Sequence, residues 1–70
     1  MTSISGKKFV KILGKHGWKL ARINGSHHIF VKQGQNERIS VPVHGDKILK
    51  IGLLKHLLKI AGIKINEMNK

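Results

Sequence analysis

The sequence predicts an α+β fold in which two helices pack on one face of a three-stranded antiparallel sheet. Apolar residues recur at helical spacing near both ends of the chain, and between Trp18 and Val43 they alternate with polar residues. Turn residues at 24–26 and 33–36 divide that middle part into three short strands. The order helix, three-stranded meander, helix closes as a two-layer sandwich, an arrangement typical of a double-stranded-RNA-binding domain.

The first helix is predicted to begin after Ser5, an N-capping residue, and to end near Gly17, a helix-stopping glycine. One side has the i, i+3, i+4, i+7 spacing of a buried stripe and consists of Phe9, Ile12, Leu13 and His16. The other side carries Lys7, Lys8, Lys11 and Lys15. The helix is therefore amphipathic and basic.

The third strand has the clearest pattern of the three. Ile39, Val41 and Val43 point to one side, and Pro42 indicates that the strand ends there or lies at a sheet edge.

The middle strand is interpreted with Ile29 and Val31 on the covered face, and with His28, Phe30 and Lys32 on the opposite face. The same alternation groups His27 with Ile29. We therefore expect His27 at the margin of the covered face, at the first position of the strand.

The second helix lies between Asp46 and Ala61, and Gly62 is its expected stop. Its buried stripe is Leu54, Leu57, Leu58 and Ala61, and its solvent side carries Lys50, Lys55 and Lys59. Two starts are open: Asp46 caps the helix directly, or residues 47–50 form a loop and Gly52 lies in the first turn. The tail, residues 63–70, is expected to add one short turn through Ile65 and Met68.

The charge balance points to a polyanionic partner. Fourteen Lys and Arg against three Asp and Glu give a net charge of +11, which favours nucleic acid, an anionic membrane surface or an acidic protein without choosing among them. The absence of cysteine excludes a disulfide scaffold and a thiolate zinc site. Without a signal-peptide h-region or an apolar span, we expect a soluble cytoplasmic protein made of one domain, residues 1–70.

The candidate chemistry is proton transfer by histidine. Three acidic residues give poor support to a zinc site or a Ser/His/Asp triad. RNA, however, carries its own nucleophile in the 2′-hydroxyl, so one histidine and some lysines suffice to cleave it. Residues 24–30, where a turn precedes His27 and His28 at a strand start, are the most informative segment. A turn followed by half-exposed histidines without any function is the alternative interpretation.

Three segments in order along the chain carry a family resemblance. They are Gly-Ser-His-His-Ile-Phe at 25–30, Ile-Ser-Val-Pro-Val-His at 39–44, and the Lys-x-Gly opening of a Leu-rich helix that closes with Ala-Gly at 50–63. The set resembles the HicA family of toxin ribonucleases over nearly the whole chain. Leu53 departs from that family's pattern, in which threonine is frequent, and the C-terminal helix is short.

The resemblance implies a type II toxin that cleaves mRNA without the ribosome, a metal or another cofactor, and that is neutralised by a HicB-type antitoxin. It places the catalytic histidine at His27 and a supporting turn at Gly25 and Ser26. His44 matches a motif histidine without an assigned role. Expected RNA contacts are His28, Lys32, Lys50 and Lys55, with His28 also the alternative catalytic candidate. The free toxin is expected to be a monomer.

Two other functions compete with the ribonuclease. One is an RNA-binding module of the double-stranded-RNA-binding type that does not cleave. The other is a membrane-active protein, because residues 47–59 taken alone resemble a cationic amphipathic helix. The strands that precede this segment argue that its apolar side is buried.

Overall fold

The computed structural model describes residues 3–67. The elements are α1 (Gly6–Lys15), β1 (Lys19–Asn24), β2 (His27–Val31), β3 (Ile39–Pro42), α2 (Ile51–Ala61) and a short 3-10 turn (Ile65–Glu67). The strands form one antiparallel sheet in the order β1-β2-β3, and both helices pack against β3. This confirms the predicted α-β-β-β-α fold.

Helix α1 follows its sequence pattern closely. Ser5 caps it, because its Oγ accepts a hydrogen bond of 3.2 Å from the backbone N–H of Lys8. Phe9 and Leu13 are completely buried, whereas His16 at the C-terminal end is half-buried. The lysines of the other side are exposed, so α1 buries a narrow apolar stripe and presents positive charge to solvent.

The orientation of β2 differs from the sequence prediction. Phe30 pairs with Ile39 and His28 pairs with Val41, and Ile39 and Val41 are both completely buried. Since directly paired residues share a face, Phe30 and His28 lie on the helix-covered face. The prediction that Ile29 and Val31 form the core side was therefore wrong.

The reason is that β2 is apolar on both faces. Alternation alone does not choose between an Ile29 side and a Phe30 side, and the choice depends on what the neighbouring strand places opposite. The large ring of Phe30 fills the space under the helices and is 6% exposed. His27 shares a face with Ile29 as expected, but that face is the open one, and His27 is exposed.

Strand β1 lies at the edge of the sheet, where the helices give it little cover. Every one of its residues is exposed, including Leu20 and Ile23. The register shifts between Leu20 and Arg22, so that Arg22 pairs with Ile29. The shift has the form of a β-bulge at Ala21, which turns Arg22 toward the open face.

Helix α2 begins at Ile51, after a loop at residues 47–50, so the second of the two predicted starts is confirmed. Its stripe is buried as predicted and consists of Leu54, Leu57, Leu58 and Ala61. Gly62 ends the helix in the left-handed conformation, with φ of 72°. The predicted turn through Ile65 is present in part, whereas Met68 lies outside the described residues.

The loop before α2 is fixed to the N-terminal segment. The N–H of Leu49 donates to the carbonyl of Ile4 at 2.8 Å, and Ser5 and Ile48 form an antiparallel bridge. Residues 47–59 are therefore not one continuous exposed helix, which contradicts the membrane-active alternative. None of the helices within residues 3–67 has the length and apolar character that a membrane crossing requires.

Candidate active site

A tight turn presents the start of β2. Gly25 and Ser26 join β1 to β2, and Gly25 has φ of +62°, whereas no residue other than glycine has positive φ in residues 3–67. A two-residue hairpin loop with positive φ at its first position has the pattern of a type II′ turn, for which glycine is the preferred residue. Gly25 thus sets the position of His27.

His27 is an exposed side chain on the open face of the sheet. Its Nδ1 lies 3.2 Å from the Oγ of Ser40, the residue of β3 two positions before Pro42, and Pro42 pairs directly with His27. The serine holds the imidazole in one orientation. The other ring nitrogen of His27, Nε2, has no hydrogen-bond partner within residues 3–67.

A second serine–histidine pair lies at the same end of the sheet. The Oγ of Ser26 is 3.2 Å from Nε2 of His44, and His44 is exposed. The N–H of Val43 donates to the carbonyl of Ser26 at 2.8 Å, which extends the pairing of the two strands past Pro42. Two exposed imidazoles, each within 3.2 Å of a serine hydroxyl, therefore lie at the end of the sheet where β2 begins and β3 ends.

A basic groove continues from His44 along the loop that precedes α2. Its lining residues are Pro42, His44, Lys47, Ile48, Leu49, Lys50 and Leu53. Lys47 and Lys50 are exposed, and Ile48 is 51% exposed. The groove combines positive charge with apolar surface, which suits a polyanion that also has flat apolar parts, such as RNA.

Helix α1 supports this end of the sheet by a close backbone contact. Gly6 is buried at the start of α1, and a Cβ placed on it would overlap the carbonyl oxygen of Pro42. The overlap leaves no room for a side chain, so glycine is required there. The contact holds Pro42, and with it the strand position opposite His27.

A family model described as the HicA toxin of bacterial toxin–antitoxin systems matches residues 6–63 of the 70. The chain belongs to the HicA toxin family. It is therefore a toxin of a bacterial toxin–antitoxin system, and an antitoxin is its implied partner. The comparison with individually curated proteins gave no match.

The HicA match spans the whole candidate active site. It includes the Gly25–Ser26 turn, both serine–histidine pairs and the basic groove. Lys50, an expected RNA contact, lines that groove beside His44.

Three other residues expected to contact RNA lie elsewhere in this HicA toxin. His28 is half-buried on the covered face, and its Nδ1 is buried without a hydrogen-bond partner. Lys32 follows the far end of β2, about 17 Å along the strand from His27, where its Nζ is 6.0 Å from the centre of the Trp18 ring. Lys55 is exposed on α2 and does not line the groove.

Three members of the candidate site are not evident from the sequence. Ser40 alternates with Ile39 and Val41 along β3, but its partner His27 is predicted at the margin of the covered face. Arg22 shares the open face with Ser40 and Ile29, and the β-bulge that places it there leaves no mark in the alternation. Lys47 lies in a segment for which the sequence leaves both a helix and a loop open. His44, by contrast, is marked in the sequence by the Val-Pro-x-His segment.

The site can perform acid–base chemistry with positive charge nearby. It offers two imidazoles, two hydroxyls and the cations of Arg22, Lys47 and Lys50. Residues 3–67 contain no group of three or more His, Asp or Glu side chains placed to hold a metal ion.

Proposed function

We propose that this HicA toxin is an endoribonuclease that cleaves mRNA and thereby blocks translation, with His27 as a catalytic residue. The observation that carries the proposal is the position of His27: exposed on the open face, at the end of a fixed turn, with its ring held by Ser40 at 3.2 Å. Membership of a toxin family supports mRNA as the target, because its cleavage blocks translation.

The chemistry needs few protein groups. The 2′-hydroxyl of RNA attacks the adjacent phosphorus, and the protein aligns the groups, moves protons and stabilises negative charge. A histidine titrates near neutral pH and can accept the proton of the 2′-hydroxyl. His27 is suited to this role because Ser40 occupies Nδ1, and Nε2 is then the atom that meets the substrate.

The other histidines fit the role less well. His28 lies under the helices, and His16 is half-buried at the end of α1. His56 is exposed on α2 but does not line the basic groove. His44 is the exception, because it shares the site with His27.

Positive charge supports binding to RNA. The net charge is +11, and exposed lysines occupy α1, the loop before α2 and α2 itself. Each phosphate neutralised on a single strand contributes about −0.7 to the slope of log affinity against log salt. We propose that Lys50 and Lys55 contribute to this binding together with Arg22 and Lys47.

We further propose that the antitoxin is of the HicB type and that it is acidic where it covers the open face around His27. Such a partner would bind through charge complementarity and exclude RNA. The toxin is proposed to act in the cytoplasm, without a ribosome or a cofactor, and to be a monomer when free, since its high net charge disfavours self-association.

The experiment is cleavage of a purified mRNA in EDTA, without ribosomes, by the wild type, His27→Ala and His56→Ala. His56→Ala is the matched control because it removes another exposed histidine. We expect the wild type and the control to cut, and His27→Ala to lose about 10²–10⁴-fold in rate while it still binds RNA. If all three bind RNA and none cuts it, the protein is instead a non-catalytic RNA-binding module.

A further inference from the structure

We propose that His44 is a second catalytic residue, the general acid that protonates the 5′-oxygen leaving group while His27 acts as the general base. This inference rests on the ribonuclease function proposed above and deepens it. The observation behind it is the pair formed by Ser26 and His44, with 3.2 Å between Oγ and Nε2, at the same sheet end as His27.

The strand register brings the two histidines close together. His27 pairs with Pro42, and His44 follows two residues later, after Val43 has bonded to the carbonyl of Ser26. Paired strands are about 5 Å apart and two residues span about 7 Å, so the Cα atoms of His27 and His44 are separated by on the order of 8 Å. Imidazoles on backbones this far apart can reach opposite sides of one phosphate group.

The two serines hold the rings in complementary ways. Ser40 contacts Nδ1 of His27, whereas Ser26 contacts Nε2 of His44. The ring nitrogen that does not contact a serine is Nε2 in His27 and Nδ1 in His44. The ring nitrogen that faces the serine keeps its proton while the other nitrogen gains or loses one, so each serine Oγ can accept a hydrogen bond from its ring before and after the transfer.

The surroundings decide which histidine is the acid. Two cations, Lys47 and Lys50, line the groove with His44, whereas the open face beside His27 carries Arg22, which pairs with Ile29. Negative charge develops on the leaving oxygen as its bond to phosphorus breaks, and fixed cations stabilise that charge. The leaving group is therefore assigned to the groove side, next to His44.

The step balances without another reactant. Nε2 of His27 takes the proton of the 2′-hydroxyl, and the 2′-oxygen forms a bond to phosphorus. The bond from phosphorus to the 5′-oxygen breaks, and Nδ1–H of His44 gives its proton to that oxygen. The products are a 2′,3′-cyclic phosphate and a free 5′-hydroxyl, and water returns the two histidines to their starting protonation states.

A leaving-group substitution tests the assignment. The probe is an RNA oligonucleotide that the wild type cuts, with sulfur in place of the 5′-bridging oxygen at the mapped bond. A thiolate leaves without protonation, so an enzyme lacking its general acid cuts the sulfur substrate well. The variants are His44→Ala, His27→Ala and the control His56→Ala, each checked for its fold by circular dichroism.

We expect His44→Ala to cut the oxygen substrate about 10²–10³-fold more slowly than the wild type and the sulfur substrate within about tenfold of it. His27→Ala should be slow on both substrates. Similar rates for His44→Ala and the wild type on oxygen, or no recovery on sulfur, would overturn the inference. Recovery of His27→Ala in place of His44→Ala would also overturn it. If the wild type cuts no RNA, the proposed ribonuclease function is overturned together with the role of His44. Failure of the His44 assignment alone is therefore distinguishable, because the wild type then still cuts RNA.

The pH dependence gives a second readout. A general base must be deprotonated and a general acid protonated, so the wild-type kcat/KM should rise and then fall with pH. His44→Ala should lose the fall at high pH and keep the rise at low pH. An unchanged bell-shaped profile in His44→Ala would leave His44 without a catalytic role.

Discussion

The two faces of β2 carry the same kinds of residue but have different surroundings. On the covered face, Phe30 and His28 lie opposite the completely buried Ile39 and Val41. On the open face, Ile29 and His27 lie opposite Ser40 and Pro42, and His27 is exposed. Phe30 on the covered face therefore contributes to the core, whereas His27 on the open face is available for chemistry.

This difference follows from the layering of the fold. The helices supply apolar side chains to one face and leave the other to the strands alone, where a small chain can display polar groups without loss of its core. A fold with so small a core has little stability to spare. Placing the candidate site on the open face keeps its histidines out of the core.

The largest expected difference is between Phe30→Ala and Ile29→Ala. Phe30 is 6% exposed, so its truncation should lower the free energy of unfolding by about 3–5 kcal/mol, which is close to the whole stability of a small core. Ile29 is half-buried on the open face, so Ile29→Ala should lower the free energy of unfolding by about 1 kcal/mol or less. Urea unfolding measures both, and equal losses would contradict the assignment of the faces.

The contact between α1 and β3 gives the next largest effect. In Gly6→Ala the new methyl group would overlap the Pro42 carbonyl oxygen, and we expect the free energy of unfolding to fall by about 1–3 kcal/mol and cleavage to be reduced. Gly14→Ala is the matched control in the same helix, because its Cβ position has no neighbour within 4 Å apart from the surrounding backbone of α1 itself. It should stabilise the protein by about 0.5–1 kcal/mol. Thermal unfolding of both variants would show whether their effects have opposite signs.

On the open face, Ser40→Ala should weaken catalysis without affecting the core. Ser40 is exposed and holds His27 through a contact of 3.2 Å, so we expect kcat to fall about tenfold, equivalent to about 1.4 kcal/mol, with unfolding unchanged within about 0.5 kcal/mol. Ser40→Thr keeps the hydroxyl and should recover most of the rate. Equal rates for Ser40→Ala and the wild type would show that the serine does not position the ring.

The smallest expected effect is on the covered face, at His28. Its Nδ1 is buried without a partner within the described residues, and such an atom costs free energy that an apolar side chain does not. His28→Leu should therefore raise the free energy of unfolding by up to about 1 kcal/mol and leave RNA cleavage unchanged. A loss of stability in urea unfolding would mean that the ring makes a contact that leucine cannot replace.

Helix periodicity made much of this fold predictable from the sequence. The stripes of α1 and α2, the stop at Gly62 and the end of β3 at Pro42 all follow from spacing and from residues with strong backbone preferences. The start of α2 was harder, because Asp46 and the loop alternative satisfy the same local rules. The bridge between Ser5 and Ile48, a contact distant in sequence, accompanies the loop that the structure shows.

The candidate site was predictable as a segment but not as an arrangement. The Gly-Ser turn correctly predicts that β2 starts at His27. Because β2 has apolar residues on both faces, however, the alternation does not show which face is open. The pairing of His27 with Ser40, and of Ser26 with His44, depends on the register between β2 and β3. Sequence spacing does not determine that register, because a loop as long as residues 32–38 permits more than one pairing of the strands.

The central claim is that the catalytic histidine is on the open face. The most direct test is cleavage of one mRNA, in EDTA, by His27→Ala and by His28→Ala, with RNA binding and circular dichroism measured on the same samples. His28→Leu replaces His28→Ala if that variant does not fold. We predict that His27→Ala binds RNA without cutting it and that the His28 variant cuts at close to the wild-type rate. Cleavage by His27→Ala, or its loss in a folded His28 variant, would contradict the claim.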